Sequence, residues 1–433
     1  MLVAPGMGAV AAAVMLAGAG TPSYWGDEAA SVLSARRPLW SLWQELGNVD
    51  AVHGAYYLFL HFWIRLAGSS EFATRAPSAI AAGVAVAGVV VLGRLLFGMR
   101  TGVIAGMLML ALPQVTRVAV EARSYAFSMT VGVWLTVLLV VLIRRAEPRR
   151  RWWALYAAGL ALGIYLFLYL GLLVPVHLVA VMLLGRQRRA LLRRWATAVA
   201  VALVVASPVI IFGIAQQHQI AFLAARHYAS ANAVIVTQWF HSAPLAALGW
   251  GLIVIGVAAT AIRRRRLSRA RVGAMALVLG WVAIPTAVLL AGDALITPMY
   301  NYRYTGFSLP AVAIAAAVGV VQIADLVHGR RLRVLAAATL IVFAGALAAP
   351  VYLSERGEFA KDGGADLRQT AAAVSELAAP GYAVVFDETV KPSRKPRLAL
   401  DLYPASFDGL SDVALITPYV DRGWIWDRVA PLD

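Results

Sequence analysis

Apolar residues run along this chain in long blocks, not in the alternation of a half-buried strand or the one-sided stripe of a surface helix. A helix that crosses a bilayer needs about 20 mostly apolar residues. Eleven blocks approach or reach that length: 2–20, 78–98, 102–120, 125–143, 153–168, 170–185, 196–214, 243–262, 272–292, 305–326 and 333–353. Five basic clusters separate many of them. These are Arg94 with Arg100; Arg144, Arg145 and Arg149 to Arg151; Arg186, Arg188, Arg189, Arg193 and Arg194; Arg263 to Arg266 with Arg269 and Arg271; and Arg330, Arg331 and Arg333. Short loops rich in Arg stay cytoplasmic. The clusters therefore read as topology signals, with the amino terminus inside and the carboxyl terminus outside.

The same rule resolves two ambiguous stretches. One long helix over 153–185 would put its flanking basic loops on opposite sides, so two spans turning near Tyr165 to Gly171 are expected. Residues 56–68 are apolar, but they number only 13 and include His61 and Arg65. They read as an interfacial helix, which suits Tyr, Trp and a snorkelling Arg. Residues 2–20 lack the basic start of a signal peptide and read as an uncleaved anchor.

Composition agrees. Hydrophobic residues make up 61% of the 433, charged residues 14%, and the mean hydropathy is +0.74. A soluble chain is nearer half apolar and a quarter charged. The net charge of +16 could suggest nucleic acid, but five short interhelical clusters do not make one basic face, and no nucleic-acid partner is expected. With 0 Cys, thiolate chemistry, zinc–thiolate sites and disulfides are excluded. Of the 22 acidic residues, all but Glu147 and Asp325 fall in the expected outer loops or the tail.

The expected outer segments are 21–77, 119–125, 215–242 and 293–304, followed by a tail over 354–433. The chain thus divides into a membrane domain, 1–353, and a small extracytoplasmic α/β domain. In the tail, Asp366 to Ala379 has helical spacing and ends at Pro380–Gly381. Tyr382 to Phe386 and Val413 to Ile416 are buried-strand candidates. A unit of 80 residues is small for an independent core and is expected to lean on the membrane domain.

Candidate chemistry lies in those loops. Tyr24-Trp25-Gly26-Asp27-Glu28 puts two carboxylates just past the first block. A carboxylate near the membrane surface can act as a general base on a hydroxyl. The plainer reading makes Asp27 a cap for a helix over Ala29–Ala35. Asp50, His53 and Tyr57 lead into the interfacial helix, and Glu121, Arg123 and Tyr125 sit at the junction of the third and fourth blocks. Polar groups beside the membrane are functional candidates, although Glu121 and Arg123 could simply pair. In 215–242, Gln216, Gln217, His218, Gln219, His227, Gln238, Trp239 and His241 suggest sugar or acceptor contact, or plain loop solvation. The histidine spacing matches no compact zinc pattern.

The run WGDEA, DxxHGxYY, SEFATRAPSA and EARSYA resembles the GT-C membrane glycosyltransferases. The nearest branch is the bacterial protein-mannosyltransferase-like group, related to aminoarabinose and oligosaccharyl transferases. Members commonly carry two prolines after the His, where this chain has Gly54 and Ala55. The resemblance implies an all-α polytopic enzyme of the plasma membrane. It would move a sugar, mannose being the expected one, from a polyprenyl-phosphate donor to a glycolipid, polysaccharide or protein acceptor outside the cytoplasm. Asp27 would be the base and Glu28 its support. Glu121 would match a second acidic position that in some relatives helps hold a divalent cation, and oxygen ligands suit such a cation. Asp50, His53, Tyr57, Glu121 and Tyr125 are candidates for sugar or acceptor contact. The leaving phosphate needs a cation, for which Arg123, Arg226 and Arg303 are candidates. The competing readings are a lipid or polysaccharide transporter, which lacks charged span centres and inverted repeats here, and an inactive scaffold.

Overall fold

The computed structural model describes residues 2–145, 149–185, 188–225, 228–265, 267–361, 363–390 and 394–431. Glu147, Arg186, Arg226, His227 and Arg266 lie outside the described residues. The chain begins with α1 (Val3–Leu16), and three helices, α2 (Gly26–Arg36), α3 (Leu39–Asn48) and α4 (Gly54–Ala67), follow before the first long one. Then come α5 (Glu71–Phe97), α6 (Met99–Leu110), α7 (Pro113–Ala119), α8 (Tyr125–Arg144), α9 (Arg150–Leu166), α10 (Leu173–Leu184) and α11 (Arg188–Ala215). The bundle ends with α12 (Ala243–Ile262), α13 (Arg269–Leu295), α14 (Leu309–Asp325) and α15 (Arg330–Ser354). This is a helical, multi-pass membrane protein.

Each of the eleven apolar blocks holds helix, but length and composition alone mark fewer spans than expected. Among the described residues, seven helices are long and apolar enough to cross a membrane, or eight if α6 and α7 form one bent span. The 65° bend between those two falls at Pro113, which has no amide proton to donate and holds Leu112 extended. Helix α1 has 14 residues, α9 has 17 and α10 has 12, all short for a span. The chain breaks between α9 and α10 at Phe167, which is extended, and a 3-10 turn over Leu168–Leu172 follows. That break is where the charge pattern places a turn.

Backbones approach closely where glycines face a neighbour, as membrane helices require when no hydrophobic force draws them together. A Cβ on Gly319 of α14 would lie 1.9 Å from the Leu252 carbonyl oxygen of α12. One on Gly83 of α5 would lie 2.5 Å from the Gly8 carbonyl oxygen of α1. Helix α14 is the most enclosed long helix and α15 the least.

The tail builds α16 (Leu367–Leu377), capped by the Asp366 carboxylate, and a short helix α17 (Leu398–Leu402). Strand β1 (Ala383–Val384) pairs in parallel with β2 (Ser411–Asp412), and β3 (Leu415–Thr417) pairs antiparallel with β4 (Arg428–Val429). The expected strands are therefore shorter than their apolar runs. They are not buried either: Tyr382, Val385, Val413 and Ile416 are exposed, because two-stranded pieces have no second layer to cover them. The tail core is shared instead. Tyr24, Val32 and Leu33 pack with Leu367, Phe386 and Leu402. Arg37, fully buried, pairs with Glu45 at 2.7 Å and donates to the carbonyls of Tyr419, Arg422 and Trp424. The tail is thus bolted to α2 and the loop after it.

Candidate functional site

Helix α2 starts one turn earlier than the plain capping reading requires. Its N-cap is Trp25, so Asp27 lies in the first turn and caps nothing. Successive residues on a helix point about 100° apart. Asp27 consequently turns into a cavity of about 740 Å³ with its side chain 39% exposed, while Glu28 turns away and is fully buried.

Glu28 is the centre of a buried knot. It accepts a two-pronged bond from Arg75 of α5, with Nε at 2.7 Å and Nη2 at 2.6 Å, and a third from the Ala122 amide at 2.8 Å. Arg75 also donates to the carbonyls of Ala19, Pro22 and Ser23. Burial would raise the Glu28 carboxyl, but the Arg75 guanidinium, Lys361 and the Ala122 amide hold it below its usual range. Glu28 does not line the cavity. It ties the 121–125 turn and the start of α2 to one another, which sets the distance between Glu121 and Asp27.

In the cavity, Arg303 Nη1 stands 3.6 Å from Asp27 Oδ2 and 4.0 Å from Glu121 Oε1. Its guanidinium lies over the Trp25 ring, 4.9 Å from the centroid. Glu121 is nearly fully buried and its Oε1 has no hydrogen-bond partner among the described residues. Burial raises its carboxyl despite the Arg303 charge. Arg123 does not pair with Glu121 and instead holds the wall together. Its Nη1 donates to the Asp27 carbonyl at 3.2 Å, Ser31 Oγ at 3.3 Å and the Tyr57 hydroxyl at 3.4 Å, while Nη2 faces His53 Nε2 at 3.2 Å. The Tyr57 hydroxyl in turn donates to Asp50 at 2.7 Å. Burial, and then the Arg123 charge, push His53 down to about 4, so its imidazole is neutral and accepts.

Of the residues singled out from the sequence, Asp27, Asp50, His53, Glu121, Arg123, Tyr125, Gln219 and Arg303 line this one cavity; Glu28 and Tyr57 stand behind it. In 215–242, Gln216 and Gln219 accept from the Ala51 and Asp50 amides, fixing a residue with φ of 55°. Gln238 bonds Thr286 and Trp239 is core. Sequence reasoning missed Trp25, Arg117, Glu355, Lys361 and Trp426, which also line the cavity. Arg117 reads as part of an apolar block. The other four are ordinary loop or tail residues until the fold brings them in.

Asp27 and Glu121 offer two carboxylates to a divalent cation, but Arg303 already stands between them. Among the described residues, no three His, Asp or Glu side chains gather as a ligand set. The donor set does not fit a resident metal ion, so no step below runs through one. What the arrangement offers is a solvent-facing carboxylate beside a guanidinium, in a half-open cavity with polar and apolar walls. Such a pair can take a proton from a hydroxyl and stabilise charge on a departing anion.

Residues 55–212 match the family model described as dolichyl-phosphate-mannose-protein mannosyltransferase. No curated protein matches the sequence. Among solved structures, the chain is similar to ArnT from Cupriavidus metallidurans bound to undecaprenyl phosphate. That match has 14% identity and a TM-score of 0.57 over 91% of this chain and 84% of that one. It is also similar to the oligosaccharyltransferase AglB from Archaeoglobus fulgidus in complex with an inhibitory peptide and a dolichol-phosphate. There the identity is 12% and the TM-score 0.55, over 86% of this chain and 57% of that one. These matches bear out the resemblance to GT-C, protein-mannosyltransferase-like proteins: the fold holds over most of the chain, and the family model over 55–212.

Proposed function

On that fold, we propose that this protein is a glycosyltransferase that moves a sugar, with mannose as the expected one, from a polyprenyl-phosphate donor to a hydroxyl-bearing acceptor. The Asp27 carboxylate takes the acceptor proton, the freed oxygen bonds the anomeric carbon, and the carbon–oxygen bond to phosphate breaks. The electron pair leaves on the phosphate, and Arg303 offsets the charge that develops there. No nucleotide is consumed, because the polyprenyl phosphate is already a good leaving group. Arg123, with both terminal nitrogens engaged by Asp27, Ser31, Tyr57 and His53, positions the wall. Asp50, Glu121 and Tyr125 face the sugar or acceptor. The acceptor is an extracytoplasmic glycolipid, polysaccharide or protein, and the membrane domain (1–353) and the tail (354–433) share the outer side, with the basic loops in the cytoplasm.

The observation that carries this reading is the Asp27–Arg303 pair, 3.6 Å apart and open to a cavity of about 740 Å³. Two further facts support it: the family model describes a polyprenyl-phosphate-sugar enzyme, and the first solved relative holds undecaprenyl phosphate. The test is turnover of polyprenyl-phosphomannose by membranes carrying Asp27→Asn. Loss of a general base costs about 10²- to 10⁴-fold in rate. We expect that loss with normal folding, and wild-type turnover would remove Asp27 as the base.

A further inference from the structure

A second group of charges lines the same cavity, and the transfer step does not use it. Glu355, at the end of α15, holds two cations. Arg117 of α7 donates to it through Nε at 2.9 Å, and Lys361 Nζ stands 3.5 Å from its other oxygen. These side chains are 20%, 7% and 9% exposed for Arg117, Lys361 and Glu355. Lysine is almost never this buried unless it is well paired. Its ammonium has three donors. Among the described residues, Glu355 is its one ion-pair partner, and at 3.5 Å that contact is longer than a good hydrogen bond. Beyond Nε, the Arg117 fork has, among the described residues, a 3.5 Å approach to the Tyr302 hydroxyl. Burial would raise the Glu355 carboxyl, but Arg117 and Lys361 hold it below its usual range, so it stays ionised. Lys361 also acts on the Glu28 and Glu121 carboxylates, so what this group leaves over is donors facing the cavity, the rest of the Lys361 ammonium and of the Arg117 fork.

We propose that Arg117 and Lys361, aligned by Glu355, form a seat for a phosphate group, separate from the Arg303 cation beside Asp27. The planar fork of Arg117 suits two phosphate oxygens, and Lys361 adds a point charge. Where the phosphate is the headgroup of the donor lipid, this rests on the donor reading above. Where it is a free phosphate, it stands without that reading.

The test uses the purified full chain in nanodiscs of zwitterionic lipid. It is titrated in turn with undecaprenyl phosphate, undecaprenol and inorganic phosphate, and binding is read from the thermal midpoint. Wild type should respond to the phosphate probes and not to undecaprenol. Response to the lipid phosphate alone identifies the headgroup as the source; response to both phosphates identifies a general phosphate seat. Arg117→Gln and Lys361→Gln should each weaken that response roughly tenfold, the scale of one charge-assisted contact. Lys361→Arg should restore it. If Arg117→Gln unfolds the protein by stranding Glu355, Arg117→Gln with Glu355→Gln removes both charges together. Wild-type affinity in these folded variants overturns the seat and leaves the transfer reading standing. Failure of Asp27→Asn to impair turnover overturns that reading and leaves the seat. No response of wild type to either phosphate overturns the seat and the donor class together.

Discussion

Asp27 and Glu28 are adjacent in sequence and opposite in role, because one step along α2 turns a side chain from the cavity into the protein. Asp27 keeps water and an arginine beside it. Glu28 spends its oxygens on Arg75 and the Ala122 amide. His53 shows the same economy, since its neutral ring is an acceptor for Arg123. That predicts a pH effect whose sign is fixed. An unfolded histidine titrates near 6.5, and this one is pushed down to about 4. Between those values the unfolded state binds more protons, so stability falls as pH drops from about 6.5 to about 4. His53→Gln keeps an acceptor and removes the titration, so its thermal midpoint should vary less across that window. An equally steep dependence would contradict the neutral, buried histidine.

At the scale of elements, the apolar blocks and the basic clusters place the long helices of the bundle but not α3 or α17, because bilayer length and Arg placement are local signals. The carboxylates of 27 and 121 and the Arg303 guanidinium were also legible, as polar residues at the ends of apolar runs. Arg117 and Lys361 were not. Their meaning depends on Glu355 joining α7 to the first residues of the tail, a contact 238 positions long in sequence for Arg117. The bend at Pro113 starts α7 and so aims Arg117, while glycine contacts hold the bundle elsewhere. Gly319→Ala should push α12 off α14, since its Cβ would stand 1.9 Å from the Leu252 carbonyl. Overpacking of this kind costs about 1–3 kcal/mol or more. Gly345→Ala, which meets nothing within 4 Å, is the matched control. Equal thermal midpoints for the two would contradict the close approach.

At the scale of the whole molecule, the first loop, the 121–125 turn, the 215–242 segment, the turn before α14 and the tail converge at one end of a helical bundle, and the cavity lies where they meet. The proposed orientation puts that end outside the cell. The chain has 0 Cys, so single cysteines report their side without background. Leu377→Cys, on an exposed tail residue, should react with a membrane-impermeant maleimide in intact cells. Leu326→Cys, exposed beside Asp325, should react only after permeabilisation. The reverse pattern would invert the topology. The central claim is that this cavity transfers sugar from a polyprenyl phosphate, and the direct test is a structure with polyprenyl-phosphomannose bound. The account predicts the sugar within about 3 Å of Asp27 and its phosphate against a cavity cation. Donor density elsewhere on the molecule, with Asp27 facing only water, would contradict it.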